Sequence, residues 1–161
     1  MTSILDIPAV RARRAPVAAR SALCLGDSPA LPLVLDAAMS TSDDRSDPDA
    51  VLIACDDWPD GDLPGRVPES LARARLHGRT VGLIAVAADL AHGARVLTQV
   101  RLLVRRHGGL PVGAGVCVDA ADIVHSARGP AFADVTVAAR LALLGRRVDT
   151  MARSRRVLRA A

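Results

Sequence analysis

Three apolar runs dominate the second half of the chain, each followed by a stretch with helical spacing. "DAVLIAC" (49–55), "TVGLIAVA" (80–87) and "PVGAGVCVD" (111–119) are short and apolar nearly throughout, the pattern of strands buried on both faces. "PESLARARLHG" (68–78) has Pro at its start, Glu in its first turn and a closing Gly78, which predicts a helix. "HGARVLTQVRLLVRRHGG" (92–109) sets Val96, Val100, Leu103 and Val104 on one face and arginines on the other, and stops at Gly108-Gly109, as an amphipathic helix does. Residues 132–160 read as a long helix interrupted at Gly145. Strands alternating with helices over short connections predict an α/β layered domain with a parallel sheet.

The first half has a looser pattern. "TSILDI" (2–7) and "ALCLGD" (22–27) are strand-like, with a helix-like stretch between them that Pro16 breaks. "PLVLDAAM" (32–39) is long enough for one or two turns, and "STSDDRSDPD" (40–49) is a polar loop. Counting all five strands, the expected architecture is a doubly wound, three-layer αβα sheet in the order 2-1-3-4-5, with residues 2–7 as the central strand. The length of 161 residues fits one domain over 1–161, with 1–20 and 150–161 peripheral.

Composition narrows the function classes. Half of the residues are hydrophobic, so general disorder is excluded. Trp58 and Phe132 are the only aromatics, so the core is built from Ala, Val and Leu. Every basic side chain is arginine, and the net charge of +4 is concentrated at the two ends. No aromatic residue interleaves those arginines to stack on a base, and no nucleic-acid module is present. Cys24, Cys55 and Cys117 are odd in number and far apart; they read as small hydrophobes in a reducing, cytoplasmic compartment. Arg20 and Leu23 disrupt the apparent export signal before Cys24, and no apolar run reaches membrane-span length.

"ACDDWPDGDLPG" (54–65) is where chemistry concentrates. A buried run ends abruptly in Asp56, Asp57, Asp60 and Asp62 around the single tryptophan. In an open α/β sheet, ligands sit outside the carboxyl ends of the strands, and this is such an end. The acidic spacing does not make a calcium loop: Val67 stands where its closing Glu belongs. No metal site is expected, and no G-x-S-x-G elbow, P-loop or G-x-G-x-x-G occurs.

Residues 30–150 resemble the NADPH-dependent FMN reductase family, whose fold is flavodoxin-like. "DAVLIACDDWPDGDLPG" (49–65) looks like the family's "ADAVIIATPEYNGSIPG". "LPLVLDA" (31–37) is similar to its second-strand exit. "GRTVGLIAVAADLAHGARVLTQVRLLVRRHGGLPVGAGVCV" (78–118) is similar to its next βαβ unit, including Gly-Ala-Arg at the helix start. The resemblance implies a homodimeric oxidoreductase that binds FMN and takes hydride from NADPH or NADH. The flavin does the chemistry, so no catalytic side chain is expected. It places Asp57, Trp58, Pro59, Asp60 and Gly61 beside the flavin ring, together with Gly93 and Arg95 of the following loop. Trp58 falls on the family's tyrosine position; its other reading is a cap on the sheet. Arg95 also reads as a surface arginine and His92 as a capping residue.

The departures are specific. Asp56-Asp57-Trp58-Pro59 replaces Pro-Glu-Tyr-Asn, and one extra residue precedes Pro64-Gly65. The family's first strand leads into a Gly-Ser-x-Arg loop whose N–H groups hold the FMN phosphate at a helix start. After "TSILDI" comes "PAVRARR", without Gly or Ser. The expected substitutes are Arg11, Arg13 and Arg14, or "GDSPA" (26–30) if "ALCLGD" is the true first strand. The chain therefore reads as a divergent member or one whose start omits the normal first strand. The alternative is a cofactor-free binding or scaffold relative that keeps the fold.

Overall fold

The structure, a computed structural model, describes residues 21–40, 47–58 and 64–161. Five parallel strands build the centre: β1 (Ser21–Leu25), β2 (Ala50–Asp56), β3 (Thr80–Ala87), then the pair β4 (Leu110–Pro111) and β5 (Val116–Asp119). Their order is β1-β2-β3-β4, with β5 also on β3. The register runs Ser21↔Val51, Val51↔Val81, Thr80↔Leu110 and Ile84↔Val116. The expected run 111–118 is thus one strand position split in two by a bend at Gly113 and Gly115, both at positive φ.

Alternate side chains of β2 serve two cores. Ala50, Leu52 and Ala54 pack with α1 (Ala30–Met39) and α4 (Val135–Ala160). Val51, Ile53 and Cys55 pack with α2 (Arg66–Arg73) and α3 (Leu90–Arg106). Burial on both faces is why β2 and β3 are continuously apolar rather than alternating. The two-sided sheet between helix layers is the expected α/β architecture.

The expected strand order 2-1-3-4-5 is not confirmed. β1 pairs directly with β2, so "ALCL" takes the place assigned to the first strand, and residues 2–7 lie outside the described residues. The described order is β1-β2-β3, followed by β4 and β5 side by side on β3. The connecting helices lie on both faces. The β1–α1–β2 and β2–α2–β3 connections step in one direction across the sheet but cross on opposite faces. They therefore have opposite hands, whereas such connections are almost uniformly right-handed.

Three other differences have local causes. Helix α1 is ten residues long because Leu31, Val34, Leu35 and Ala38 form one continuous buried stripe. Helix α4 is unbroken across Gly145, which is buried within it; packing overrides the weak propensity. A hairpin, β6 (Ile123–Ser126) with β7 (Gly129–Phe132), joins the short helical turn after β5 to α4. Toward its end, α4 is tied to the start of β2: Arg156 meets the buried carboxylate of Asp47 at 2.7 Å.

Candidate functional site at the carboxyl edge of the sheet

The parallel strands all end on one side, and there the chain turns into helices. The β1–α1 loop is Gly26-Asp27-Ser28-Pro29. Its Asp27 and Ser28 amides donate to Oδ2 of Asp56, at 2.9 and 3.0 Å. Asp56 belongs to the end of the neighbouring strand, so this carboxylate closes the loop from outside. Gly26 has φ +153, and a Cβ there would collide with the Asp56 carboxylate. Ser28 Oγ accepts from the Ala30 amide at 3.2 Å, and Asp27 pairs with Arg66 of α2 at 2.7 Å on the exposed rim.

Burial lifts the Asp56 carboxyl above the usual carboxylate range, opposed by the Ser28 and Asp27 N–H groups and by Arg66. Desolvation penalises the ion more than two amide bonds favour it. Next along the chain, the Asp57 amide donates to the Val86 carbonyl at 2.8 Å. One Asp57 carboxylate oxygen accepts from Ala88 at 3.4 Å; the other is buried without a hydrogen-bond partner among the described residues.

Trp58 is only 7% exposed and sits in the core with Leu25, Val67 and Leu71. Pro59, Asp60 and Gly61 lie outside the described residues, as do Arg11, Arg13 and Arg14. At the β3–α3 loop, Asp89 caps α3 by accepting from the His92 amide at 2.8 Å, and its other oxygen meets His92 Nδ1 at 2.7 Å. These bonds hold the Asp89 carboxyl below its ordinary range, the His92 amide foremost. His92 is thus a partner of the cap. Gly93 is buried, and a Cβ on it would collide with the Cys117 sulfur, so its smallness serves helix–strand packing. Arg95 is exposed on α3. Asp57, Trp58 and Gly93 therefore lie near one edge, but the two apolar positions face the protein.

All three thiols are pushed up, mainly by burial, and Cys55 the most strongly. They are poor nucleophiles. Among the described residues, no group of three or more His, Cys, Asp or Glu side chains can hold a metal ion. No described helix is long and apolar enough to cross a membrane. Two surface grooves, of about 550 and 240 Å³, lie away from this edge, against the later turns of α3 and beside the β4–β5 bend.

No family model and no curated protein matches the chain. A solved structure does: a short-chain flavodoxin associated with a non-canonical PDU bacterial microcompartment. It aligns with a TM-score of 0.52 at 13% identity, over 84% of this chain and 99% of that one. The fold is flavodoxin-like. At that identity the likeness speaks for the fold alone. It bears out the flavodoxin-like architecture expected from the sequence, without singling out the NADPH-dependent FMN reductases.

The β1–α1 loop, "GDSPA" (26–30), sits where the resemblance places the FMN phosphate. The residues present do not fit the phosphate. The Asp27 and Ser28 amides already hold an anion, and a second anion would face the Asp56 carboxylate at close range. Within this stretch of sequence Trp58 stands out, and nothing local marks Asp56 for a contact. The contact spans 28 and 29 positions and has no local signature.

Proposed function

We propose that this chain is a flavodoxin-fold binding or scaffold protein without resident FMN. The observation that carries this reading is the burial of Trp58 in the core that also holds Leu25, Val67 and Leu71. The tryptophan that the resemblance places beside the isoalloxazine ring is instead a core residue. The purified protein is expected to be colourless, and FMN or riboflavin should give no saturable quenching of its single tryptophan. Trp58→Ala should cost roughly 3–5 kcal/mol of stability, as for a buried aromatic, measured by urea unfolding. A cost below about 1 kcal/mol, the level of an ordinary surface substitution, would show that the indole is not a core residue.

A second reading, an NAD(P)H-dependent flavin reductase, draws support from the flavodoxin neighbour and the "DAVLIACDDWPDGDLPG" stretch. It requires Trp58 to turn outward toward a flavin flanked by Asp57, Pro59, Asp60, Gly61, Gly93 and Arg95. Yellow protein, or flavin-dependent oxidation of NADPH or NADH, would establish it and overturn the first. Both readings carry the proposal of a homodimer, supported by exposed Leu90 and Leu102 on α3. Light scattering that finds only monomer at micromolar concentration would refute the dimer.

A further inference from the structure

We infer that Asp56 acts as a resident anion in the β1–α1 loop, and that it determines ligand specificity there by excluding phosphorylated ligands. The inference deepens the proposal of a protein without FMN and rests on it only for the identity of the site. Three observations converge. Two successive backbone donors, Asp27 and Ser28, share one carboxylate oxygen at 2.9 and 3.0 Å, the arrangement by which consecutive amides grip an anion at a helix start. Gly26 leaves that oxygen room to enter, since any Cβ there would collide with it. Helix α1 follows directly; Ser28 Oγ takes its Ala30 amide, and the Asp27 and Ser28 amides before it take the anion from the neighbouring strand.

A carboxylate and a phosphate oxygen compete for the same two donors, and they repel one another. With the carboxylate built in, a phosphoester gains neither the bonds nor the charge complementarity. An uncharged ligand at the same edge does not meet this barrier. The sequence places an aspartate where the resembled family has proline, at the one strand end from which a short carboxylate reaches the loop.

The test compares intact protein with Asp56→Ala and Asp56→Asn, using inorganic phosphate as probe and the Asp27 and Ser28 amide resonances as readout. In the unaltered protein those resonances should stay fixed through a phosphate titration. In Asp56→Ala they should shift saturably, with affinity for phosphate raised about tenfold, the loss or gain of one charge-assisted bond. Asp56→Asn keeps the shape and an acceptor oxygen without the charge, so it should gain less than Asp56→Ala. Saturable phosphate shifts in the unaltered protein, or a folded Asp56→Ala that ignores phosphate, would overturn the inference. Should Asp56→Ala fail to fold, Asp56→Asn decides: a folded Asp56→Asn whose Asp27 and Ser28 amides ignore phosphate overturns the inference. FMN binding the unaltered protein about tenfold tighter than riboflavin also overturns it, whereas equal binding of both flavins defeats only the reading without a flavin.

Discussion

Helices α1 and α3 begin at the same edge of the same sheet, and each start is served by an aspartate, but the two aspartates come from different places. Asp89 immediately precedes α3 and caps it three residues on. Asp56 reaches the loop before α1 from the next strand, 28 and 29 residues away in the chain. The α3 cap is part of the helix and forms whenever the helix forms. The closure before α1 exists only after β1 and β2 have paired. One aspartate belongs to secondary structure, the other to the tertiary fold and to whatever the edge admits.

Gly26→Ala should break the α1 side of this comparison most severely. It forces a positive φ on a side chain and drives the Asp56 carboxylate out, so a loss of about 3 kcal/mol is expected in chemical unfolding. An unchanged midpoint would mean that the carboxylate is not lodged as described. Asp56→Ala should cost less, about 1 kcal/mol, because the loop is partly open and water can replace the lost acceptor.

Acid should separate the two aspartates by sign. The Asp56 carboxyl is raised in the folded protein. Its contribution is therefore fully present below the ordinary carboxylate value of about 4 and is lost as pH rises through the higher folded value. Asp89 and Asp134, both lowered by the amides they cap, behave oppositely. Their contributions are present above the ordinary value and are lost as pH falls through the lower folded one. Stability curves of Asp56→Asn and Asp89→Asn against the parent should diverge in opposite directions on acidification; parallel curves would remove the distinction. The smallest effect is expected from Asp89→Ala alone. It should fray the first turn of α3, visible as faster amide exchange at His92, and leave the Asp27 and Ser28 amides unchanged.

The same contrast accounts for what was legible in the sequence. β2 and β3 announce themselves because burial on both faces demands an unbroken apolar run. The α3 helix carries its start and stop signals locally, within a few residues of the observed ends, whereas α2 ends at Arg73, well before the expected stop at Gly78. "ALCL" was readable as a strand but not as the partner of β2, since pairing leaves no mark in a five-residue run. The β6–β7 hairpin has no clear sequence signature because its strands are four residues each, β6 mostly exposed and β7 mostly half-buried, so neither periodicity nor apolarity builds up. Its local sign is Gly129 at φ +107 after Ser126, whose hydroxyl donates to the Gly129 carbonyl. At the site, Trp58 stands out as the single tryptophan, yet its burial belongs to a core that also holds Leu25 of β1 and Val67 and Leu71 of α2, two separate segments. Asp56 drew attention only as one acid among four.

The tie between Arg156 and Asp47 bears on the order in which the molecule assembles. It joins residues 109 positions apart, and α1 and α4 cover one face of the sheet together. The opposite face is covered by helices that directly follow the strands they pack on. Contacts between near neighbours close cheaply, whereas those across long separations must first overcome the entropy of the intervening chain. The α2–α3 side is therefore expected to gain hydrogen-exchange protection before the α1–α4 side in a pulse-labelled refolding experiment. The loop that Asp56 closes lies on the later side, so the edge would acquire its selectivity only as folding finishes.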